Sequence, residues 1–216
     1  MADFNHGAFV AALRNRRGVI PADLYADLMA ALDAGTGAQP VRLEVARTEA
    51  AAAAGTGDPP WLTEARRNMG LREVPGPRHE GRIVAFFRSA LAGWFADDET
   101  PWCGAFAAYC MVRAGLPIPP KGEAVRALAW AKWGVSTAPR VGAVAVFGRQ
   151  GGGHVGFVVG ESADNLYILG GNQSNQVNIT PIAKTRLVAL RWPSGVPLSE
   201  TRLPPMRGGT VSRNEA

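Results

Sequence analysis

The sequence is poor in the residues that build metal sites and disulfides. It has three histidines and two cysteines in 216 residues, with no HExxH motif and no CxxC pair, so we expect no metal and no other cofactor. Cys103 and Cys110 are seven positions apart. On one helix this spacing is a rise of roughly 10 Å, whereas a disulfide needs Cα atoms within about 7 Å. Both thiols are therefore expected to be free.

Long apolar runs and a leader are also missing from the sequence. No stretch of about 18 apolar residues is present, which argues against a membrane span. The first residues, Met1 to His6, carry no basic region followed by an apolar core, so we expect synthesis in the cytoplasm without a signal peptide. Lysine is scarce, and the arginines stand singly or in pairs, which argues against a nucleic-acid partner. The formal net charge of +5 suits an anionic partner.

Composition divides the chain into four parts. Residues 1–39 predict a small helical segment, because apolar residues recur at helical spacing on both sides of Pro21. Residues 40–58 are rich in alanine and glycine and predict a linker. Residues 59–193 carry dense helix and strand signals. Residues 194–216 are rich in proline, glycine, serine and arginine and predict a disordered tail.

The main part begins with helical periods and ends with strand-like ones. Helices are expected over residues 61–69, 83–91, 101–114 and 123–133, and strands over 141–147, 154–159, 166–169, 177–182 and 187–192. Helices followed by an antiparallel sheet indicate an α+β fold. We therefore expect N-terminal helices packed on an antiparallel β-sheet, preceded by the small helical segment.

Two cysteines share one face of the third helix predicted in this part. The positions at helical spacing on that face are Cys103, Phe106, Ala107, Cys110, Met111 and Ala114. Cys110 is in the middle of this apolar face, and we interpret it as a buried core residue. Cys103 is in the first turn, where unpaired backbone N–H groups and the helix dipole favour a thiolate and can stabilise an oxyanion. On its own, a cysteine is more often structural than catalytic.

His154 opens a predicted strand directly after three glycines. Its neighbour on the same strand face is Gly156, which leaves room for the cysteine helix or a substrate to approach. A neutral imidazole beside a thiol can take its proton. His6 lies in the small helical segment, and His79 lies in a turn that we expect to be solvated. His154 is therefore the candidate base.

The ring of a catalytic histidine needs a partner that fixes its tautomer. Asn172 ends the strand that follows the histidine strand, and its amide can accept the imidazole N–H. Gln173 is the nearest rival, and Asp164 lies on a turn at the wrong end. Asp98 and Glu99, before the cysteine helix, either contact a substrate amine or form a solvated acidic loop, and we favour the loop.

Five segments together resemble one known family. They are Pro60-Trp61, Asp98…Pro101-Trp102-Cys103…Phe106, Lys132-Trp133-Gly134, Gly153-His154-Val155-Gly156-Phe157 and Leu169-Gly170-Gly171-Asn172-Gln173. Over about residues 59–193 they resemble a phage-associated family in the CHAP and NlpC-type clan of papain-like peptidoglycan hydrolases. The resemblance implies a nucleophile at Cys103, a general base at His154 and the polar third position at Asn172. It also implies endolysin-like cleavage of an amide bond in peptidoglycan, by an amidase or an endopeptidase.

Two positions depart from the pattern of that family. Gly142-Ala143 stands where related domains often carry Gly-Asp, and Gly170 stands where some CHAP domains have a glutamate. We expect a monomer that reaches the bacterial cell wall after holin-type release or as part of a virion. The alternative interpretation is an inactive virion or wall-binding component that retains the hydrolase fold.

Overall fold

The computed structural model describes residues 57–120, 122–213 and 215. The helical segment predicted over residues 1–39 lies outside this part, and so does the predicted linker except for its last two residues. The described part contains three α-helices, namely α1 (Pro60–Arg67), α2 (Gly81–Ser89) and α3 (Cys103–Arg113). No helix in it is long and apolar enough to cross a membrane.

Two short 3-10 helices connect α3 to the sheet. They are Glu123–Val125 and Ala127–Lys132, and they stand where the sequence predicted one helix over 123–133. The prediction of a single helix was wrong because Arg126 between them is extended, with φ −88° and ψ 113°. An extended residue interrupts the helical hydrogen bonds at that point.

The second half of the chain forms one six-stranded antiparallel sheet. Its strands are β1 (Val135–Ser136), β2 (Val144–Arg149), β3 (Gly152–Glu161), β4 (Asn165–Gly170), β5 (Asn178–Ala183) and β6 (Leu187–Trp192). The strand order is β1-β6-β2-β3-β4-β5. The expected α+β fold is confirmed, with helices before an antiparallel sheet. Strand β1 was not predicted, because a strand of two residues is too short to show the alternation of apolar and polar residues.

Helix α3 lies at the centre of the domain. It packs against α1, α2 and β3, and almost every side chain from Cys103 to Met111 is buried. The predicted apolar face is confirmed as buried, but the opposite side of the helix is covered as well. Small residues such as Ala105 and Ala108 on that side let the neighbouring elements approach closely.

Two tryptophans join the beginning and the end of the sheet domain. The rings of Trp61 in α1 and Trp192 in β6 meet edge to face with centroids 5.0 Å apart. The indole N–H of Trp61 also donates to the carbonyl of Gly142 at 2.8 Å. These contacts attach α1 to the sheet. Helix α1 is therefore part of the domain that carries the predicted cysteine and histidine.

The last residues of the chain differ from the disordered tail expected over residues 194–216. Backbone bridges join Pro205 to Glu161 and Ser212 to Ile182, so this segment follows the sheet. Composition suggested disorder because the segment has few large apolar residues. Its attachment uses backbone hydrogen bonds together with a few apolar side chains, Val196 and Leu203, that reach the core.

A glycine in α3 sets the spacing between this helix and the next element. A Cβ built on Gly104 would lie 2.4 Å from the carbonyl oxygens of Ala124 and Val125. Both are backbone atoms, so a side chain at position 104 cannot be accommodated by a rotamer change. Only glycine at this position lets the first turn of α3 lie so close to the backbone of Ala124 and Val125.

We expect Gly104→Ala to destabilise the domain by roughly 2–3 kcal/mol, because the added methyl must push the backbone at Ala124 away. Urea denaturation measures the change in the free energy of unfolding. Gly81→Ala is the matched control, because a Cβ there meets nothing within 4 Å. Equal free energies of unfolding for the two variants would contradict the close approach.

Candidate active site

Cys103 is the first residue of α3 and is 5% exposed. Its thiol contacts the backbone N–H groups of Gly104, in its own helix, and of Val155 in β3. Val155 directly follows His154, so the start of the helix lies against the strand that carries the histidine. The structure thus places the Cys103 thiol against the backbone of the residue that follows His154.

Burial raises the pKa of the Cys103 thiol above its usual range. The N–H of Val155 and the Arg149 guanidinium act in the opposite direction but do not compensate for the loss of water. The expectation that a helix N-terminus would give a resting thiolate was therefore incomplete. At this buried site desolvation outweighs the helix terminus, and the resting form is the neutral thiol.

The ring of His154 is held by Gln173 rather than by Asn172. His154 is 1% exposed, and its Nε2 lies 3.0 Å from Oε1 of Gln173. The prediction that placed Asn172 against the ring was therefore wrong, and the rival at position 173 takes that place. The cause is the turn after β4, where Asn172 adopts φ +57° and the following residue turns back towards the strand.

Neighbouring backbone groups fix the orientation of the Gln173 amide. Its Nε2 donates to the carbonyl oxygens of Ile168, at 3.2 Å, and of Asn178, at 2.7 Å. In turn, the Asn178 side chain donates to the carbonyl of Gln173 at 2.9 Å. The oxygen of the amide must then face the histidine, so His154 Nε2 carries the proton. The other ring nitrogen, Nδ1, is left as the proton acceptor.

Two glycines, Gly170 at the end of β4 and Gly171 directly after it, make space for this arrangement. A Cβ on Gly170 would lie 3.1 Å from His154 Nε2 and 3.0 Å from Gln173 Oε1. A Cβ on Gly171 would lie 2.4 Å from the Trp102 ring. The turn therefore sits directly on the start of α3. Gln173 also reaches the space beside the histidine that a side chain at position 170 would otherwise enter.

Gly156 proves to have a different neighbour from the one expected. A Cβ on it would lie 2.5 Å from the Ile168 side chain and 2.9 Å from the Leu169 carbonyl oxygen. The missing side chain thus admits the end of β4, not the cysteine helix or a substrate. Because the end of β4 can approach β3 at Gly156, the turn that carries Gln173 lies beside His154.

A buried ion pair behind the histidine was not foreseen. Glu215 is 2% exposed, and its two carboxylate oxygens each lie 2.8 Å from a guanidinium nitrogen of Arg186. The charge of this carboxylate favours the protonated form of His154. Sequence reasoning missed Glu215 because it lies far along the chain in a stretch taken to be disordered.

Burial dominates the titration of the histidine. It lowers the pKa of His154 to about 4, against the opposite effects of the Glu215 charge and the Gln173 hydrogen bond. The imidazole is therefore neutral at pH 7. The raised pKa of the Cys103 thiol and the lowered pKa of the His154 imidazole thus leave both side chains neutral at pH 7.

The acidic residues before α3 have two different roles in the structure. Asp98 is fully buried and accepts hydrogen bonds from the backbone N–H groups of Val74 and Glu80 and contacts His79. Burial opposes ionisation of Asp98, but these hydrogen bonds keep its pKa lowered. The predicted solvated loop was thus wrong for Asp98, which connects two segments. Glu99 is exposed.

The described residues hold no group of three or more His, Cys, Asp and Glu side chains suited to a metal ion. Cys110 is fully buried in the core, as its position on α3 predicted. Burial raises its pKa well above the usual range. The two thiols thus lie in different surroundings, one beside the histidine strand and the other inside the core.

One comparison with known proteins gives a match. Residues 95–172 match the family model described as the CHAP domain. No curated protein and no solved structure matches the chain. The matched segment includes Cys103 and His154 and stops one residue before Gln173. Over those residues the chain is therefore similar to a CHAP domain.

Proposed function

We propose that this domain hydrolyses an amide bond of bacterial peptidoglycan with Cys103 as nucleophile, His154 as general base and Gln173 as the positioning residue. The CHAP match over residues 95–172 supports the class of reaction. The observation that carries the mechanism is the hydrogen bond between His154 Nε2 and Gln173 Oε1. This bond leaves Nδ1 as the proton acceptor on the strand that packs against Cys103.

The first half of the reaction forms a thioester. The Cys103 sulfur attacks the amide carbonyl carbon while its proton moves to Nδ1 of His154. Negative charge develops on the carbonyl oxygen, and the free backbone N–H groups of the first turn of α3 stabilise it. The C–N bond then breaks as His154 returns the proton to the leaving amine.

The second half releases the acid product. Water attacks the thioester carbonyl while His154 takes one of its protons, and the C–S bond breaks as that proton returns to sulfur. During both halves the imidazole is transiently positive. The Glu215 carboxylate and the Gln173 oxygen both favour that form, so they lower the cost of a charge that burial opposes.

We also propose a phage or phage-like origin, in which the protein reaches the wall after holin-type release or within a virion. The support is the combination of motifs around Cys103, His154 and the turn after β4. An inactive wall-binding component is the competing function. The retained thiol, imidazole and amide favour the enzyme, because binding alone needs none of them in this arrangement.

We expect Cys103→Ala to abolish release of soluble fragments from purified peptidoglycan, because no other thiol lies beside the histidine strand. Turbidity loss of a wall suspension measures this, and mass spectrometry of the fragments identifies the bond that is cut. Cys110→Ala is the matched control. It should destabilise the fold by roughly 1–2 kcal/mol while hydrolysis persists, and full hydrolysis by Cys103→Ala would refute the nucleophile.

The acid limb of the pH–rate profile should have its midpoint at a much lower pH than the limb that a solvated histidine would give. Because the pKa of His154 is lowered to about 4, the imidazole is neutral and able to accept a proton at every pH above about 4. We expect kcat, measured at saturating substrate, to fall only as pH drops through that value. An acid limb near 6.5, the ordinary histidine value, would contradict a buried base.

Gln173→Ala should lower kcat by about 100-fold, because the ring loses the acceptor that fixes its tautomer. Gln173→Glu keeps an acceptor and adds a negative charge, so it should move the acid limb of the pH–rate profile upward. The matched variant is Ser174→Glu, which adds the same charge at the exposed position directly after Gln173 and should leave that limb in place. An equal shift of the acid limb in both variants would contradict the proposal that Gln173 positions the His154 ring.

A further inference from the structure

A second feature beside the catalytic residues is an acidic pocket. It has a volume of about 260 Å³ and is lined by Glu73, Pro75, Glu99, Pro101, Asn172 and Asn175. Pro101 is two residues before Cys103, and Asn172 directly precedes Gln173. The pocket thus lies where the start of α3 meets the turn after β4, the two segments that supply the nucleophile and the positioning residue.

The charge of the pocket is opposite to that of the chain. Its lining has two carboxylates and no arginine or lysine, whereas the whole chain has a formal net charge of +5. Burial and the nearby charges of Asp98 and Glu99 raise the pKa of Glu73, although the Trp102 hydrogen bond acts in the opposite direction. A cation in the pocket would relieve this concentration of negative charge.

Each carboxylate keeps capacity to accept another hydrogen bond. One oxygen of Glu73 accepts from the Trp102 indole at 2.7 Å. One oxygen of Glu99 accepts from the backbone N–H of Gly76 at 3.4 Å. Within the described residues, the second oxygen of each carboxylate has no hydrogen bond. These contacts hold both side chains at the pocket and leave acceptors for a ligand.

Asn172 gives an independent indication that the pocket takes a polar ligand. The residue is 3% exposed and contributes to the pocket lining. Its side-chain amide makes no hydrogen bond to any described residue, although a buried amide ordinarily has partners. The residue predicted to hold the histidine therefore has a polar group without a partner at the acidic pocket.

We propose that this pocket binds a primary ammonium group of the substrate's peptide stem, next to the bond that Cys103 attacks. An ammonium has three N–H donors and no acceptor, and the pocket offers two carboxylates and the Asn172 amide oxygen. The rigid rings of Pro75 and Pro101 complete its wall. The proposal rests on the proposed function and adds to it a requirement for a free amine near the scissile amide.

Binding to the inactive Cys103→Ala protein tests the pocket without turnover. The probe is the tripeptide L-Ala–γ-D-Glu–L-Lys, titrated calorimetrically, alone and with each of its two amines acetylated in turn. We expect acetylation of one amine to weaken binding by about tenfold. In the Cys103→Ala background, Glu99→Gln and Asn172→Ala should weaken the free peptide to a similar extent.

Glu200→Gln is the matched control for the loss of one charge. Glu200 is exposed and lines a different pocket, so this variant should bind the tripeptide as the parent does. The proposal would be overturned if neither acetylated peptide bound more weakly than the free tripeptide. So would absence of binding at millimolar peptide, or equal effects of Glu99→Gln and Glu200→Gln.

Hydrolysis of whole peptidoglycan by the unmodified protein is measured separately. If the wall is degraded but binding is indifferent to acetylation, the pocket proposal fails and the enzyme proposal stands. If the wall is untouched while the amine-dependent binding is present, the enzyme proposal fails and the pocket is a binding site only. In an active protein, Glu99→Gln should raise KM for amine-bearing substrates more than it lowers kcat.

Discussion

The hydrogen bond between His154 and Gln173 joins the two halves of the site. It fixes which ring nitrogen carries the proton, and it does so in a place from which water is almost excluded. The amide itself is held by backbone carbonyls on β4 and at the start of β5. Because that network depends on how the turn after β4 is folded, the chemistry of the histidine depends on the geometry of a short loop.

Burial gives this site a neutral resting state. A helix N-terminus and a neighbouring arginine favour a thiolate, but loss of water raises the pKa of Cys103 and lowers that of His154. In the proposed mechanism, charge separation is therefore confined to the moments of attack and release. The Glu215 carboxylate favours the imidazolium of the proposed mechanism, while the charges of its partner Arg186 and of Arg149 oppose that form.

The sequence predicted those features that follow from local periodicity. The spacing of apolar residues predicted α3 and its buried face, and the glycine-flanked strand identified His154. The choice between Asn172 and Gln173 could not be made in this way, because it depends on positive φ angles within the seven-residue connection from β4 to β5. Glu215 was out of reach for a different reason. Its pairing with Arg186 is a long-range contact in a stretch with little apolar content.

The strand order has a consequence for how the protein is made. Strand β6, the last in the chain, lies between β1 and β2, and Trp192 at its end packs on Trp61 of α1. A nascent chain therefore cannot complete the sheet until about the whole domain has left the ribosome. Such non-local pairing slows folding, and it delays completion of the sheet that carries His154 to the end of synthesis of the domain. An unfinished chain therefore lacks the complete sheet against which Cys103 lies.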